Sequence, residues 1–317
     1  MDQQVRAQRP TELKRHKNYV IETHPEHERI VHFRIEKTAL EKYLELTSHI
    51  DVQNLEYVPY MRFHIADQLI KCVGGEFTKD IVETLRDRRS GGFTVGLQQL
   101  TANEDDFVRF GTAIGHLIGP SNHDSMSGKY YARFLVKHTD SSDSYLRQAY
   151  RLFTMHTDGT FVSEATDWLL MMKFSELNAV GGESRFLHLD DWDELQRFLQ
   201  HPMATRPFLY KAPGSKNVDE RVERPVFFQS EFGLSMSFID QFVQPKDRQE
   251  ARYLFDLSNS MESSSGTKEV GLPVGDVVVL NNYFYVHGRA PFVQNENLHR
   301  ELMRLRGSFA LNAEKID

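Results

Sequence analysis

Residues 273–292 read PVGDVVVLNNYFYVHGRAPF. Gly275-Asp276 is a turn signal. The run after it, Val277–Leu280, is continuously apolar, as expected for a strand buried on both faces. His287-Gly288-Arg289 ends the stretch as a strand terminus turning outward. The stretch thus predicts a β-core with a histidine at its rim.

Outward from it, Tyr130–Val136, Trp168–Phe174, Val226–Gln229, Leu234–Ile239 and Met303–Leu311 are further short apolar runs of strand character. Gly181-Gly182, Gly214, Gly233 and Gly271 punctuate them. Two helical patterns interrupt: Trp192–Gln200, with Asp190 or Asp191 as N-cap, and Lys246–Ser260. Asn259–Gly266 reads as a polar loop. Before Pro120 the texture is mostly helical. Ile30–Ile35 alternates as a strand, and Thr38 opens a helix with Glu41 completing a capping box. Further helices cover about 61–72, 78–89 and 104–118. Residues 1–18 read as a mildly basic flexible arm. Residues 19–317 read as a single domain, helical to about residue 120 and β beyond it. Helices outside a core of short strands predict a mainly β fold of the jelly-roll or cupin-like kind.

Composition limits the function. Hydrophobic residues at 40% and charged residues at 26% suit a globular chain. A net charge of −7 supplies no overall basic face for nucleic acid. No apolar run approaches the roughly 18 residues of a membrane span. Cys72, the single cysteine, cannot form an internal disulfide and fits a reducing compartment. The polar N-terminus lacks a signal-peptide core, so the expected location is the cytoplasm.

Three His-x-Asp triplets occur, at His138, His156 and His188, where chance gives about one. His138 leads into a polar turn, and His188 precedes aspartates that serve as helix caps. His156 differs: it ends the apolar run RLFTMH, and Asp158-Gly159 turns the chain. Residues i and i+2 of an extended segment share a side, so His156 and Asp158 can bind one ion. His287, 129 residues beyond Asp158, is the third candidate. Two histidines and a carboxylate form the facial triad of non-haem Fe(II) oxygenases; two unrelated buried histidines are the plain alternative. Arg300, Arg304 and Arg306 then fall on one face of the last strand. Buried guanidinium groups require anions, and a dicarboxylate cosubstrate would provide them.

HTDGTF (156–161), GGES (181–184), LPVGDVVVLNNYFYVHGR (272–289) and RELMRLRGSF (300–309) resemble the Fe(II)/2-oxoglutarate-dependent dioxygenases of the taurine dioxygenase kind. MSGKYYARFLVK, DSYLRQ, LHLDDW, APGSKNV and FIDQFVQPKD resemble a glutarate-hydroxylating branch of that family, over residues from about 30 to 311. The resemblance implies a double-stranded β-helix with flanking helices. It implies His156, Asp158 and His287 as iron ligands, Ser184 as a hydroxyl reaching 2-oxoglutarate, and Arg304 and Arg306 as carboxylate-binding residues, both toward 2-oxoglutarate and Arg304 also toward the substrate. The implied reaction converts glutarate to L-2-hydroxyglutarate with release of succinate and CO2, in lysine degradation. Fe(II), 2-oxoglutarate and O2 would be required, in a homotetramer. The carboxylate of Asp158 argues against halogenation, where chloride takes that position.

Arg133 is a further substrate-clamp candidate, against a strand-edge ion pair. Tyr130, Tyr131, Phe161, Tyr283 and Phe284 read first as core and second as pocket lining. Met171 and Met172 read as core, and Asn281, Asn282 and Gly288 as shaping the turn of His287. Loops 211–222 and 259–270 are lid candidates. Two other functions stay open: the same oxygenase chemistry on another small anion, and a cupin-like protein that binds metal without turnover.

Overall fold

The structure is a computed structural model and describes residues 11–125, 127–138, 148–212, 214 and 218–310. The VVVL run lies in strand β15 (Asp276–Asn281), whose apolar residues are all buried. Val277 and Val279 pack into a core shared with helices, while Val278 and Leu280 pack into a second core on the opposite face. Both faces are covered, which is why the segment has no polar alternation.

β15 sits inside an eight-stranded sheet. Its order is β1 (Glu12–Arg15), β2 (Tyr19–Thr23), β3 (Val31–Ile35), β4 (Gly92–Gly96), β15, β7 (Trp168–Leu177), β17 (His299–Gly307) and β5 (Ala132–Lys137). Every pairing in it is antiparallel except β3 with β4. A second sheet runs β14 (Lys268–Val270), β8 (Ser184–His188), β16 (Tyr285–Arg289), β6 (Phe153–His156). Met155, Phe186, Leu187 and Val286 of this sheet share a core with Val278 and Leu280 of the first. This is the jelly roll expected from the alternation of short strands.

The outer face of the large sheet carries Trp168, Leu170, Met172, Phe174, Met303 and Leu305. Against it pack α1 (Lys37–Thr47), α3 (Pro59–Val73), α4 (Glu76–Arg86) and α5 (Glu104–Ile118), with the short α2 (Val52–Tyr57) beside them. The small sheet is covered by α6 (Leu195–Leu199), α7 (Arg248–Ser263), the hairpin β11 (Phe227–Ser230)/β12 (Gly233–Met236) and the sheet of β9 (Pro207–Lys211), β10 (Arg221–Pro225) and β13 (Val243–Gln244). Among the described residues no helix is long and apolar enough to cross a membrane.

Several local expectations are corrected. The arm over 1–18 contains strand β1 in its described part, tied down by Lys14 on buried Asp80 at 2.7 Å. The capping box at Thr38 does not form. α1 starts at Lys37, and the Glu36 carbonyl accepts the Ala39 and Leu40 N–H groups as β3 runs into the helix. Asp190 and Asp191 are not caps of α6, which begins after Glu194. They pair instead with Arg88 at 2.6 Å and Arg29 at 2.5 Å. The Asn259–Gly266 loop is largely helix, because α7 continues to Ser263. β17 begins at His299 and ends at Gly307, earlier than Met303–Leu311 at both ends. β4 was not foreseen; its five residues are wholly buried but two are glycines.

Candidate active site

β16 pairs antiparallel with β6, and the register sets His287 directly opposite His156. Cross-strand partners point to the same face, so the two imidazoles meet with ring centroids 4.2 Å apart. Gly288 permits the approach. A Cβ there would stand 2.4 Å from the Phe153 carbonyl oxygen, at the bulge between His287 and Arg289. His156 Nδ1 bonds the Thr154 carbonyl at 2.8 Å, so that nitrogen carries the proton and Nε2 is free.

Asp158 follows as the chain leaves β6. Its N–H donates to Asn282 Oδ1 at 2.9 Å, and Asn282 Nδ2 donates to the Asp158 and Thr166 carbonyls at 3.0 and 2.8 Å. Gly159 closes the turn with φ +74°, and a Cβ there would meet Thr166 Oγ1 at 2.3 Å. The turn therefore needs both a left-handed backbone and the absence of a side chain.

His156, Asp158 and His287 are all buried and offer ligand atoms within 4.8 Å of one another. One carboxylate oxygen, Asp158 Oδ2, is buried without a hydrogen-bond partner, a costly state for a charged group. Burial pulls both imidazoles below their ordinary pKa, His287 to about 3. Burial alone would raise Asp158, but Arg304, His287 and Arg306 outweigh it and hold the carboxyl well below its usual range. Two neutral imidazoles, one carboxylate and an orphaned oxygen fit a divalent metal.

The cavity over the triad has apolar walls that include Phe134, Val136, Phe161, Phe242 and Leu302. It contains four arginines, Arg289, Arg300, Arg304 and Arg306, in two groups. Arg289 lies opposite Ser184 in the β16–β8 register, and Arg300 Nη1 donates to the Gly182 carbonyl at 2.5 Å. Both guanidinium groups approach the Phe292 ring, at 5.1 and 5.5 Å. In the other group Arg304 donates to Asp158 Oδ1 at 3.2 Å and Asp124 Oδ2 at 2.9 Å. Arg306 reaches Asp124 Oδ2 at 3.7 Å.

Of the residues singled out by sequence, His156, Asp158, His287, Ser184, Arg304 and Arg306 all come to this cavity, as does Phe161. Met171 lines it too, while Met172 is core. Arg133 is not brought there. It points from the other face of β5, pairs with Glu301 and Glu104 at 2.6 Å each, and lies 4.9 Å from the Phe174 ring centroid. Tyr130 and Tyr131 sit in the helix-side core, and Tyr283 bonds Asp167 at 2.8 Å. His138 bonds the Tyr150 hydroxyl at 2.7 Å, and most of the DSYLRQ segment lies outside the described residues. Loop 211–222 bridges paired β9 and β10 and is only partly described, while 259–270 is the end of α7 and β14. Arg289 and Asp124 were missed. For Arg289 the signal existed: it is two residues after His287 on one strand and shares its face.

A jelly roll that joins two histidines and an aspartate at one buried point defines a class, the cupin-type fold with a facial two-histidine–carboxylate metal site. The CsiD family model matches residues 19–309, and the chain belongs to that family. It is 46% identical over 272 residues to a glutarate 2-hydroxylase from Citrobacter koseri, covering 85% of this chain and 84% of that protein. Two solved structures share the fold. The non-haem iron oxygenase OrfP, in complex with Fe, succinate and (3R,4R)-dihydroxy-L-Arg, has a TM-score of 0.66 at 16% identity, covering 88% of this chain and 95% of that one. An asparagine oxygenase in complex with Fe(II), 2S,3S-3-hydroxyasparagine and succinate has a TM-score of 0.67 at 13% identity, covering 88% and 92%.

Proposed function

We propose that the protein is an Fe(II)/2-oxoglutarate-dependent dioxygenase that hydroxylates glutarate to L-2-hydroxyglutarate, releasing succinate and CO2. The observation that carries this is the buried His156–Asp158–His287 cluster inside a four-arginine cavity; the likeness to a glutarate 2-hydroxylase supplies the substrate. His156, Asp158 and His287 hold the metal. Bound Fe(II), with 2-oxoglutarate and O2, supplies the oxidising chemistry that puts one oxygen atom on the substrate and one into succinate.

The chain's own residues bind and orient. The two imidazoles are neutral and Asp158 is ionised at physiological pH, so all three are ready as donors. 2-Oxoglutarate and glutarate are both dianions, and two groups of guanidiniums suit two separate carboxylates. Ser184 stands with Arg289 and Arg300, which gives that group to 2-oxoglutarate. Arg304 is held by Asp158 and Asp124, so Arg306 beside it meets the substrate, and the end it grips sets which methylene is offered to the triad. The apolar walls exclude water from the reacting atoms.

The described residues, β1 included, are read as one dioxygenase domain, which the family match to residues 19–309 supports. We further propose a homotetramer acting in lysine degradation, a reading supported by the resemblance, and a cytoplasmic location, supported by the polar N-terminus and the single cysteine. The test is succinate release across short diacids, with an anaerobic Fe(II)·2-oxoglutarate titration. Glutarate is expected to couple best, and the ternary complex to show a weak visible charge-transfer band. Coupled turnover on another acid but not glutarate would refute the substrate. A folded, loaded protein without the band would refute the chemistry.

A further inference from the structure

Asp124 is a buried carboxylate beside the triad, outside the set of metal ligands, and it is only 5% exposed. It heads a tight turn. Its N–H donates to the Lys129 carbonyl at 2.7 Å, and its own carbonyl accepts the Gly128 N–H at 2.9 Å. Its Oδ1 accepts from the Ser127 N–H at 3.0 Å and the Ser127 hydroxyl at 3.1 Å. One oxygen is thus tied to the turn. The other, Oδ2, accepts from Arg304 Nη2 at 2.9 Å, with Arg306 at 3.7 Å. Arg304 Nη1 donates in turn to Asp158 Oδ1 at 3.2 Å. One guanidinium is shared by two carboxylates, one fixed by its turn and the other a member of the triad.

A cation held against a metal-binding carboxylate competes with the metal for that carboxylate's charge. Asp158, Arg304 and Asp124 together carry one negative charge, and without Asp124 they carry none. A fixed second anion also pins the guanidinium, so Arg304 cannot close further onto Asp158. We propose that Asp124 is a positioning residue for the metal centre. It offsets Arg304 and thereby keeps Asp158 a strong, correctly oriented donor. Arg306, more loosely held, is left to meet the incoming carboxylate. The inference rests on the reading of His156, Asp158 and His287 as the metal ligands.

The test is anaerobic titration of the full chain with Co(II), followed by its visible absorption. Asp124→Asn keeps an oxygen for Ser127, so the turn survives while the charge is removed. The Co(II) Kd is expected to rise roughly 10- to 100-fold, the usual range for outer-shell partners, with little change in the melting temperature of the metal-free protein. Adding Arg304→Gln removes the cation and is expected to bring the Kd back to within about threefold of wild type, the coupling expected of residues in contact. Wild-type affinity in Asp124→Asn, or a double variant as weak as that single one, overturns the proposal. Should Asp124→Asn not fold, Arg304→Gln alone decides: Co(II) binding at least as tight as wild type is expected, and weaker binding overturns it. Failure of the underlying ligand assignment shows separately, as a wild-type protein that binds no Co(II) or a His156→Ala variant that binds it equally well.

Discussion

Replacing Gly288 by alanine should separate the two histidines without unfolding the jelly roll. The added Cβ would stand 2.4 Å from the Phe153 carbonyl oxygen and 3.3 Å from Thr154 backbone atoms, where real Cβ contacts essentially never fall below 3.0 Å. β6 must therefore retreat from β16 by at least about 0.6 Å. β6 is the edge strand of the small sheet, bonded there only to β16, so it can move while β16 stays paired with β8. His156 moves with it, and His287 does not. Metal–ligand distances tolerate only about ±0.2 Å, and a misplacement of about 1 Å can cost roughly 100-fold in rate. The expected result is metal affinity and turnover lower by about two orders of magnitude, with a stability loss of only ~1–3 kcal/mol, the usual cost of overpacking. Co(II) titration, succinate release and thermal denaturation measure the three. A Gly288→Ala protein within about threefold of wild type in affinity and turnover would show that strand spacing does not set the site.

Arg133→Ala should leave the KM values for glutarate and 2-oxoglutarate unchanged, because Arg133 is committed to Glu104 and Glu301 away from the cavity; a large rise in either would return it to the site. Arg306→Ala should raise the KM for glutarate at least ~30-fold, from the ~2–5 kcal/mol lost when one member of a desolvated charge pair is removed. A rise confined to 2-oxoglutarate would reverse the assignment of the two arginine groups. Acid should destabilise the metal-free protein. Burial lowers His27 and His287 to about 3 and His24, His116 and His188 to about 4, against an ordinary value of 6.5. Below pH 6.5 the unfolded chain takes up protons that the folded chain refuses, so stability falls as pH drops toward 4. A melting temperature that is flat or higher at pH 5 than at pH 8 would contradict this.

The parts of the fold legible in the sequence were those whose residues face one environment throughout. VVVL and WLLMMKF are buried on both sides of a sheet and read as strands without knowledge of their partners. β4 did not, because GFTVG owes its burial to β3 and β15 rather than to its own composition. The metal triad was legible because both histidines lie in or beside distinctive turns, and because i and i+2 on a strand share a side. Arg133 shows the limit of that rule. Ala132 and Phe134 flank it with apolar neighbours, and nothing local says which face of β5 is inside. A one-residue shift in register exchanges every side chain between faces. Asp124 was out of reach for a related reason: its partner Arg304 is 180 residues away and meets it only through tertiary packing.

The cavity's charge is too costly to be there for stability. Four guanidiniums line it in a chain of net charge −7. Burial lowers the pKa of Arg289 to about 10 and also pulls down Arg300 and Arg306, so the protein opposes their charged forms. Carbonyl oxygens of Gln148, Arg151 and Gly182 satisfy part of their hydrogen bonding. These are dipoles, however, and the buried Nε atoms of Arg289, Arg300 and Arg304 make no hydrogen bond, although Glu176 lies 3.7 Å from that of Arg300. A core selected only to be stable would replace such groups with apolar ones, often at a gain. Their retention around Asp158 fits a site whose electrostatic balance is completed by its ligands. Arg304 is held by two carboxylates at hydrogen-bond distance, Arg300 and Arg306 have one each at 3.7 Å, and Arg289 has none among the described residues, so the positive charge is least compensated at Arg289.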